Sequence, residues 1–250
     1  MEFSGVRALV TGGARGMGRC FVEQIQAGGG AVAFCDVDGE AVAATADALH
    51  APGFACDVSQ EASVQRFYDE ASAAIGVPNV LINNAGITRD GLFMKAHPET
   101  GEPVMMDVNR WQQVIDVNLT GPFLCTRAFA AGAFRAKNPE SVVVNLSSIS
   151  RAGNAGQLNY SAAKAGLVAD TVVWAKELAR YGVRVGAIAP GFIRTPMTEG
   201  MKPEALAKVA AGVPLRRLGE PTEIWLAIRF VIECGYFTGR VVEVDGGLVL

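Results

Sequence analysis

The stretch that most constrains this chain is residues 6–18. Val6-Arg-Ala-Leu-Val10 is a short apolar run that ends in Thr11-Gly-Gly-Ala-Arg-Gly-Met-Gly18, and an amphipathic helical pattern follows to about Ala27, closed by Gly28-Gly29-Gly30. A strand feeding a glycine turn and then a helix is the opening of a βαβ unit, which requires a second strand parallel to the first. Such a turn aims backbone N–H groups and a helix N-terminus at one point, an arrangement suited to a pyrophosphate. The glycines are spaced G-x-x-x-G-x-G (Gly12, Gly16, Gly18). Taken alone, that turn is equally compatible with a tight βα connection that binds nothing.

The rest of the chain repeats the alternation. Ala31–Asp36, Gly53–Val58, Val80–Ile82, Val142–Val144, Val183–Pro190 and Val241–Asp245 read as further strands. Helical patterns separate them, at Glu40–Leu49, Gln60–Ala74, a long one from about Asp107, Tyr160–Tyr181 and Pro221–Cys234. With no linker and no repeat over 250 residues, this predicts one domain, residues 1–250: an α/β fold with a doubly wound seven-stranded parallel sheet, of the Rossmann kind, and helices on both faces. Asp36 closes the second strand about twenty residues past the glycine turn, where a carboxylate accepts hydrogen bonds from an adenosine ribose and repels a 2′-phosphate. It favours NAD(H), while Arg15 would tolerate NADP(H). Asp36 could also be no more than a polar strand end. Asp57 is placed to meet the adenine ring, and Ser59 is a candidate cap for the helix from Gln60. Asn83-Asn-Ala-Gly86 could either bridge strand ends or touch the cofactor.

Val142–Val144 delivers Ser147 and Ser148 at a strand end, and Asn159-Tyr-Ser-Ala-Ala-Lys164 follows after a loop. Tyr160 and Lys164 are four residues apart and share a helix face. A phenol, an ammonium and a hydroxyl together suit proton transfer at a substrate oxygen. An ammonium favours the phenolate, and lowering the phenol by roughly three units takes about 4 kcal/mol. An isolated Y-x-x-x-K is usually an ordinary surface pair, so the motif needs its context. Asn118 lies on the apolar face of the long helix, either as a core amide or as the anchor of a water reaching Lys164. Thr195, after Pro190-Gly-Phe-Ile-Arg, could bind a carboxamide, and Thr198–Pro214, with Met197 and Met201, is suited to a substrate lid. Lys95–Val104 reads as a loop or small hairpin.

Half the residues are hydrophobic, net charge is −3 and mean hydropathy is +0.25. That balance points away from nucleic acid and membrane partners. Five scattered cysteines without C-x-x-C spacing predict a reduced, cytoplasmic setting and no metal site. No signal peptide or membrane span is expected.

Jointly, Thr11-Gly-x-x-x-Gly-x-Gly18, Asn83-Asn-Ala-Gly86, Asn118, Ser147, Tyr160-x-x-x-Lys164 and Pro190-Gly-x-x-x-Thr195 resemble the short-chain dehydrogenases/reductases over essentially the whole chain. The resemblance implies that Tyr160 is the general acid/base and that Ser147, thirteen residues before it, orients the substrate oxygen. It implies that Lys164 binds the nicotinamide ribose and lowers the tyrosine's pKa, and that Asn118 anchors a proton-relay water. Cofactor contacts are implied at Gly12, Arg15, Gly16, Met17, Gly18, Asp36, Asp57, Val58, Asn84, Ala85, Gly86, Tyr160, Lys164, Pro190, Gly191, Ile193 and Thr195. A homotetramer is implied too. Asn-Ala-Gly-Ile-Thr-Arg-Asp90 and Arg217-Leu-Gly-Glu-Pro221 look most like 3-oxoacyl-acyl-carrier-protein and acetoacetyl-CoA reductases. Expected substrates are therefore 3-oxoacyl thioesters, with a small non-thioester ketone or alcohol as the alternative and a non-catalytic dinucleotide sensor as a reading of another class. Lys95–Val104 is about ten residues longer than usual in those reductases, and Asp36 departs from their NADPH habit.

Overall fold

The computed structural model describes residues 1–250 except 139, 196, 197, 199, 201, 202 and 250. Seven parallel strands form one sheet: β1 Arg7–Thr11, β2 Ala31–Asp36, β3 Gly53–Ala55, β4 Val80–Asn83, β7 Ser141–Leu146, β8 Val183–Pro190 and β9 Val241–Val244, in the order β3-β2-β1-β4-β7-β8-β9. β5 (Met94–Ala96) and β6 (Pro103–Met105) stand apart as an antiparallel hairpin. The central strands β4 and β7 are buried along their whole length, which is why they read as unbroken apolar runs and do not alternate.

The chain leaves β1 toward β2 and β3, then crosses back to pair β4 with the other side of β1. A crevice therefore opens beyond the carboxyl ends of β1 and β4, the place where ligands bind in sheets of this kind. One face is covered by α1 (Gly16–Ala27), α2 (Gly39–Leu49) and α8 (Pro221–Glu233), whose Phe21, Ile25, Val42, Ile224 and Ile228 pack on Val10, Ile82 and Val144. The opposite face packs α3 (Glu61–Ile75) and α5 (Gly121–Arg135) through Phe67 and Phe129 on Leu9, Leu81 and Val143. The strand alternation decides this split: odd and even neighbours along β7 point to opposite layers. α6 (Leu158–Leu178) packs against β8.

Three expectations change in detail. The third strand stops at Ala55 and not Val58, because Asp57 turns the chain by accepting from Ser59 N at 2.9 Å and Ser59 Oγ at 2.7 Å. Ser59 is thereby engaged and does not cap α3, whose cap position is Gln60. The helix after Asp107 is α4 (Val108–Ile115) running into α5 through a π-helical turn, Asp116–Thr120. Single π turns inside α-helices recur at functional sites, and this one holds Asn118. Of the lid segment, α7 (Pro203–Gly212) is helical, while Met197 and Met201 lie outside the described residues. Among the described residues no helix is long and apolar enough to cross a membrane.

A buried polar ladder ties the strand ends together. Asn83 Nδ2 donates to Asn145 Oδ1 at 2.9 Å and Thr126 Oγ1 at 3.1 Å, and Asn145 Nδ2 donates to Thr171 Oγ1 at 2.9 Å. Of the two alternatives for these asparagines, Asn83 takes the structural one. Replacing Asn145 by Ala removes both bonds, leaving Asn83 Nδ2 with Thr126 alone and the Thr171 hydroxyl with the Leu167 carbonyl alone, a loss of about 2–3 kcal/mol. Urea unfolding of Asn145→Ala should show that loss with an unchanged m-value.

Candidate active site

The glycine turn is held open by hydrogen bonds from the neighbouring strand end. Thr11 Oγ1 accepts from Asn84 N and Ala85 N, both at 3.0 Å, and Asn84 Nδ2 donates to the carbonyls of Thr11 and Gly12, both at 3.0 Å. The packing is close enough to need glycine. A Cβ on Gly12, whose φ is +64°, would meet Ala85 Cα at 2.9 Å, and one on Gly18 would meet Gly12 O at 2.0 Å. Arg15, at the head of α1, makes no capping bond with its side chain. The first-turn N–H groups of α1 are left facing the crevice, where an anion would complete them.

From this turn a single cleft of about 730 Å³ runs across the sheet, from Asp36 past Gly12–Gly18 and Asn84–Gly86 to Tyr160, Lys164 and Thr195. At its nucleotide end, Asp36 accepts weakly from Ala14 N at 3.3 Å and Asp38 N at 3.4 Å. Arg15 does not stand free to meet a phosphate, because its guanidinium pairs with Asp38 at 2.6 Å. Asp38 also caps α2, and the Ala41 N–H followed by the Arg15 guanidinium holds its carboxyl below the usual range. Two carboxylates and one engaged guanidinium make this end negative.

At the other end the cleft brings Ser147, Tyr160 and Lys164 together. Ser147 is buried, and its hydroxyl donates to the Lys164 carbonyl at 2.9 Å. The hydroxyl that pulls the pKa of the Tyr160 phenol down is that of Ser148, which accepts from Ser150 N at 3.1 Å. The reason is the pleat. Val143, Asn145 and Ser147 point toward α5 and α6, so Ser147, although it borders the cleft, spends its hydroxyl on the α6 backbone. The thirteen-residue count to Tyr160 could not register that bond.

Lys164 is buried at the same end of the cleft. Its Nζ donates to the Leu146 carbonyl at 2.6 Å and lies 5.5 Å from the centre of the Tyr160 ring. Burial pushes its pKa down to about 8. The Tyr160 phenol is raised and not lowered: burial is the main cause, Asp90 adds to it, and the Ser148 hydroxyl pulls the other way. In the free protein the phenol is therefore a proton donor in waiting. Asn118 is fully buried, and its amide is engaged at both ends with Ile87, Oδ1 accepting from N at 2.8 Å and Nδ2 donating to O at 2.7 Å. This is the core-amide alternative for its side chain, and it fixes the Gly86–Ile87 wall of the cleft.

Gly12, Arg15, Gly16, Met17, Gly18, Asp36, Asp57, Val58, Asn84, Ala85, Gly86, Ser147, Tyr160, Lys164 and Thr195 all line the cleft. Pro190, Gly191 and Ile193 do not. A Cβ on Gly191 would meet Asp245 Cα at 2.7 Å, and Ile193 is buried against Gly219, so these residues join β8 to the C-terminal segments. Sequence reasoning missed Ile87, Thr88 and Arg89, which simply continue from Asn-Ala-Gly86, and Gln113, Asp116 and Val117, whose three- and four-residue spacing marks one helix face.

The uncapped helix head, the glycine cradle and the elongated cleft fit a dinucleotide, which defines a class: an α/β dinucleotide-binding protein with a proton-transfer site at one end of its cleft. A family model described as enoyl-(acyl carrier protein) reductase matches residues 12–249. A mouse protein named (3R)-3-hydroxyacyl-CoA dehydrogenase is 39% identical, over 97% of this chain and 96% of its own. Proteins named 3-oxoacyl-[acyl-carrier-protein] reductase are 36% identical in Aquifex aeolicus, over 99% of both chains, and 35% identical in Escherichia coli K12, over 100% of both. The chain belongs to the short-chain dehydrogenase/reductase family.

The cradle makes a direct test. Gly18→Ala drives a methyl into the Gly12 carbonyl, and fluorescence titration should show NADH binding weakened by about tenfold or more, equivalent to ~1.4 kcal/mol.

Proposed function

We propose that this protein interconverts a 3-oxoacyl thioester and its 3-hydroxy counterpart with a nicotinamide cofactor. The observation that carries the reading is the Tyr160 phenol, set with Lys164 and Ser147 at one end of a dinucleotide-shaped cleft. The cofactor, when bound, supplies or accepts the hydride. The chain's own residues handle the oxygen. Ser148 holds the substrate carbonyl oxygen, and Tyr160 donates its proton to that oxygen as the C–O bond becomes an alcohol. In the reverse direction the phenolate takes the alcohol proton. Lys164 lies beneath the phenol, and its position one helical turn on suits it to hold the nicotinamide ribose. The thioester class is supported by the names of the relatives, which include both carrier-protein and CoA enzymes.

NAD(H) is the preferred cofactor on this reading. The support is Asp36 at the end of β2 and the pairing of Arg15 with Asp38, which engages the guanidinium at that end of the cleft. Assembly as a homotetramer is supported by exposed apolar side chains on α5, α6 and α8 (Phe134, Val173, Leu226 and Phe230). Five free cysteines, three of them buried, support a reducing cytoplasmic setting.

With acetoacetyl-CoA and NADH, Tyr160→Phe should lower kcat by roughly two orders of magnitude or more while circular dichroism stays native. Ser148→Ala should cost more in kcat than Ser147→Ala, whose loss should appear mainly in Tm. Full turnover in Tyr160→Phe would refute the mechanism, and a larger kcat loss in Ser147→Ala would return the orienting role to that residue. The cofactor reading is checked by comparing kcat/KM for NADH and NADPH. The wild type should prefer NADH, and Asp36→Ala should move the ratio toward NADPH by about tenfold, ~1.4 kcal/mol.

A further inference from the structure

Two side chains join the first glycine turn to the turn after β2 at the nucleotide end of the cleft. Buried Thr45 of α2 donates from Oγ1 to the Ala14 carbonyl at 2.8 Å. Beside it, Arg15 Nη2 donates to Asp38 Oδ2 at 2.6 Å. Asp38 is not free to turn elsewhere, because its other oxygen, Oδ1, accepts from Ala41 N at 3.0 Å as the cap of α2. The carboxylate therefore stands in a fixed place before any cofactor arrives. Arg15, Asp36 and Val37 line the cleft, while Asp38 stands outside its wall, so the ion pair commits the guanidinium to a group beyond the cleft. Both partners are partly exposed, 65% and 37%, and pairs of that kind add little to folding stability. Thr45 already supplies the tie between the turn and α2, which leaves the ion pair open to another task.

Charge decides what that task is. Arg15 and Asp38 neutralise each other, and Asp36 is left as the uncompensated charge beside them. Among the described residues that line the cleft, the other cations are Arg89 and Lys164. Arg89, on the loop after β4, bonds to the Thr88 carbonyl at 2.8 Å, and Lys164 bonds to the Leu146 carbonyl. The strand order puts β1 between these elements and β2, so both belong to the far side of β1 from Asp36. We propose that Asp38 is a specificity-determining residue: it holds Arg15 away from the Asp36 end of the cleft, so that a 2′-phosphate there meets a carboxylate and no free guanidinium. Asp36 repels that phosphate, and Asp38 withholds the group that would bind it. A guanidinium forks onto phosphate oxygens as readily as onto a carboxylate, so Arg15 becomes a phosphate ligand once Asp38 loses its charge.

The inference rests on the reading of this cleft as a dinucleotide site that favours NAD(H), and its test separates the two. Asp38→Asn keeps an oxygen for the Ala41 N–H, since asparagine caps a helix as well as aspartate does, and removes the charge that Arg15 pairs with. Asp38→Ser, another strong cap with a shorter and uncharged side chain, is the second variant. Fluorescence titration with NADPH and with NADH reads binding without turnover, as does displacement of NADH by adenosine 2′,5′-bisphosphate or by 5′-AMP. In both variants NADPH and the bisphosphate should bind about tenfold more tightly, while NADH and 5′-AMP should change by less than about twofold. The gain should shrink as salt rises. Adding Arg15→Ala to Asp38→Asn should erase it. Unchanged NADPH affinity in the folded variants would overturn the inference. So would a gain that survives Arg15→Ala, because loss of the carboxylate's charge would then suffice without the guanidinium. Failure of the NAD(H) reading shows elsewhere, as a wild type that prefers NADPH.

Discussion

The hydrogen bonds between the ends of β1 and β4 are what the rest of the site depends on. A threonine hydroxyl and an asparagine amide, Thr11 and Asn84, fasten the first glycine turn to the Asn-Ala-Gly turn with four bonds of 3.0 Å. At this point the chain reverses its direction of travel across the sheet, so the two turns diverge and leave a crevice between them. Without that fastening, the helix head of α1 would have no fixed relation to the floor of the cleft. Backbone N–H groups bind an anion well only when they are held in advance at the right spacing.

The same economy of polar contacts runs deeper into the sheet. Asn83, Asn145, Thr126 and Thr171 form a buried ladder that crosses from β4 to β7 and on to α6. Buried amides are costly unless paired, and once paired they specify one arrangement. The ladder sets how far α6 stands from the strand ends, and α6 carries Tyr160 and Lys164. Asn118 performs a similar task from the π turn, where its amide grips the Ile87 backbone at the wall of the cleft.

Electrostatics at the two ends of the cleft oppose each other. The nucleotide end gathers Asp36 and Asp38 around one engaged arginine. At the catalytic end burial disfavours charge on both the phenol and the ammonium, raising one pKa and lowering the other to about 8. In the free protein the Lys164 ammonium is turned to the Leu146 carbonyl and lies 5.5 Å from the centre of the Tyr160 ring.

Much of this was legible in the residues themselves. Alternating apolar runs and amphipathic stretches determine a doubly wound parallel sheet, because only that arrangement buries strands that are apolar on both faces. The glycine turn, Asp36, Tyr160 and Lys164 fall at strand ends or on a helix face by spacing alone. What only the tertiary structure decided is which atoms those residues spend on one another. The choice between Ser147 and Ser148 depends on the pleat and on the loop before Tyr160, and the fate of Arg15 depends on Asp38 across a turn. The separation of Pro190, Gly191 and Ile193 from the cleft comes from packing against the C-terminal segments. A sequence specifies the direction of a side chain within its own element. Its partner is set by distances between elements that are remote along the chain.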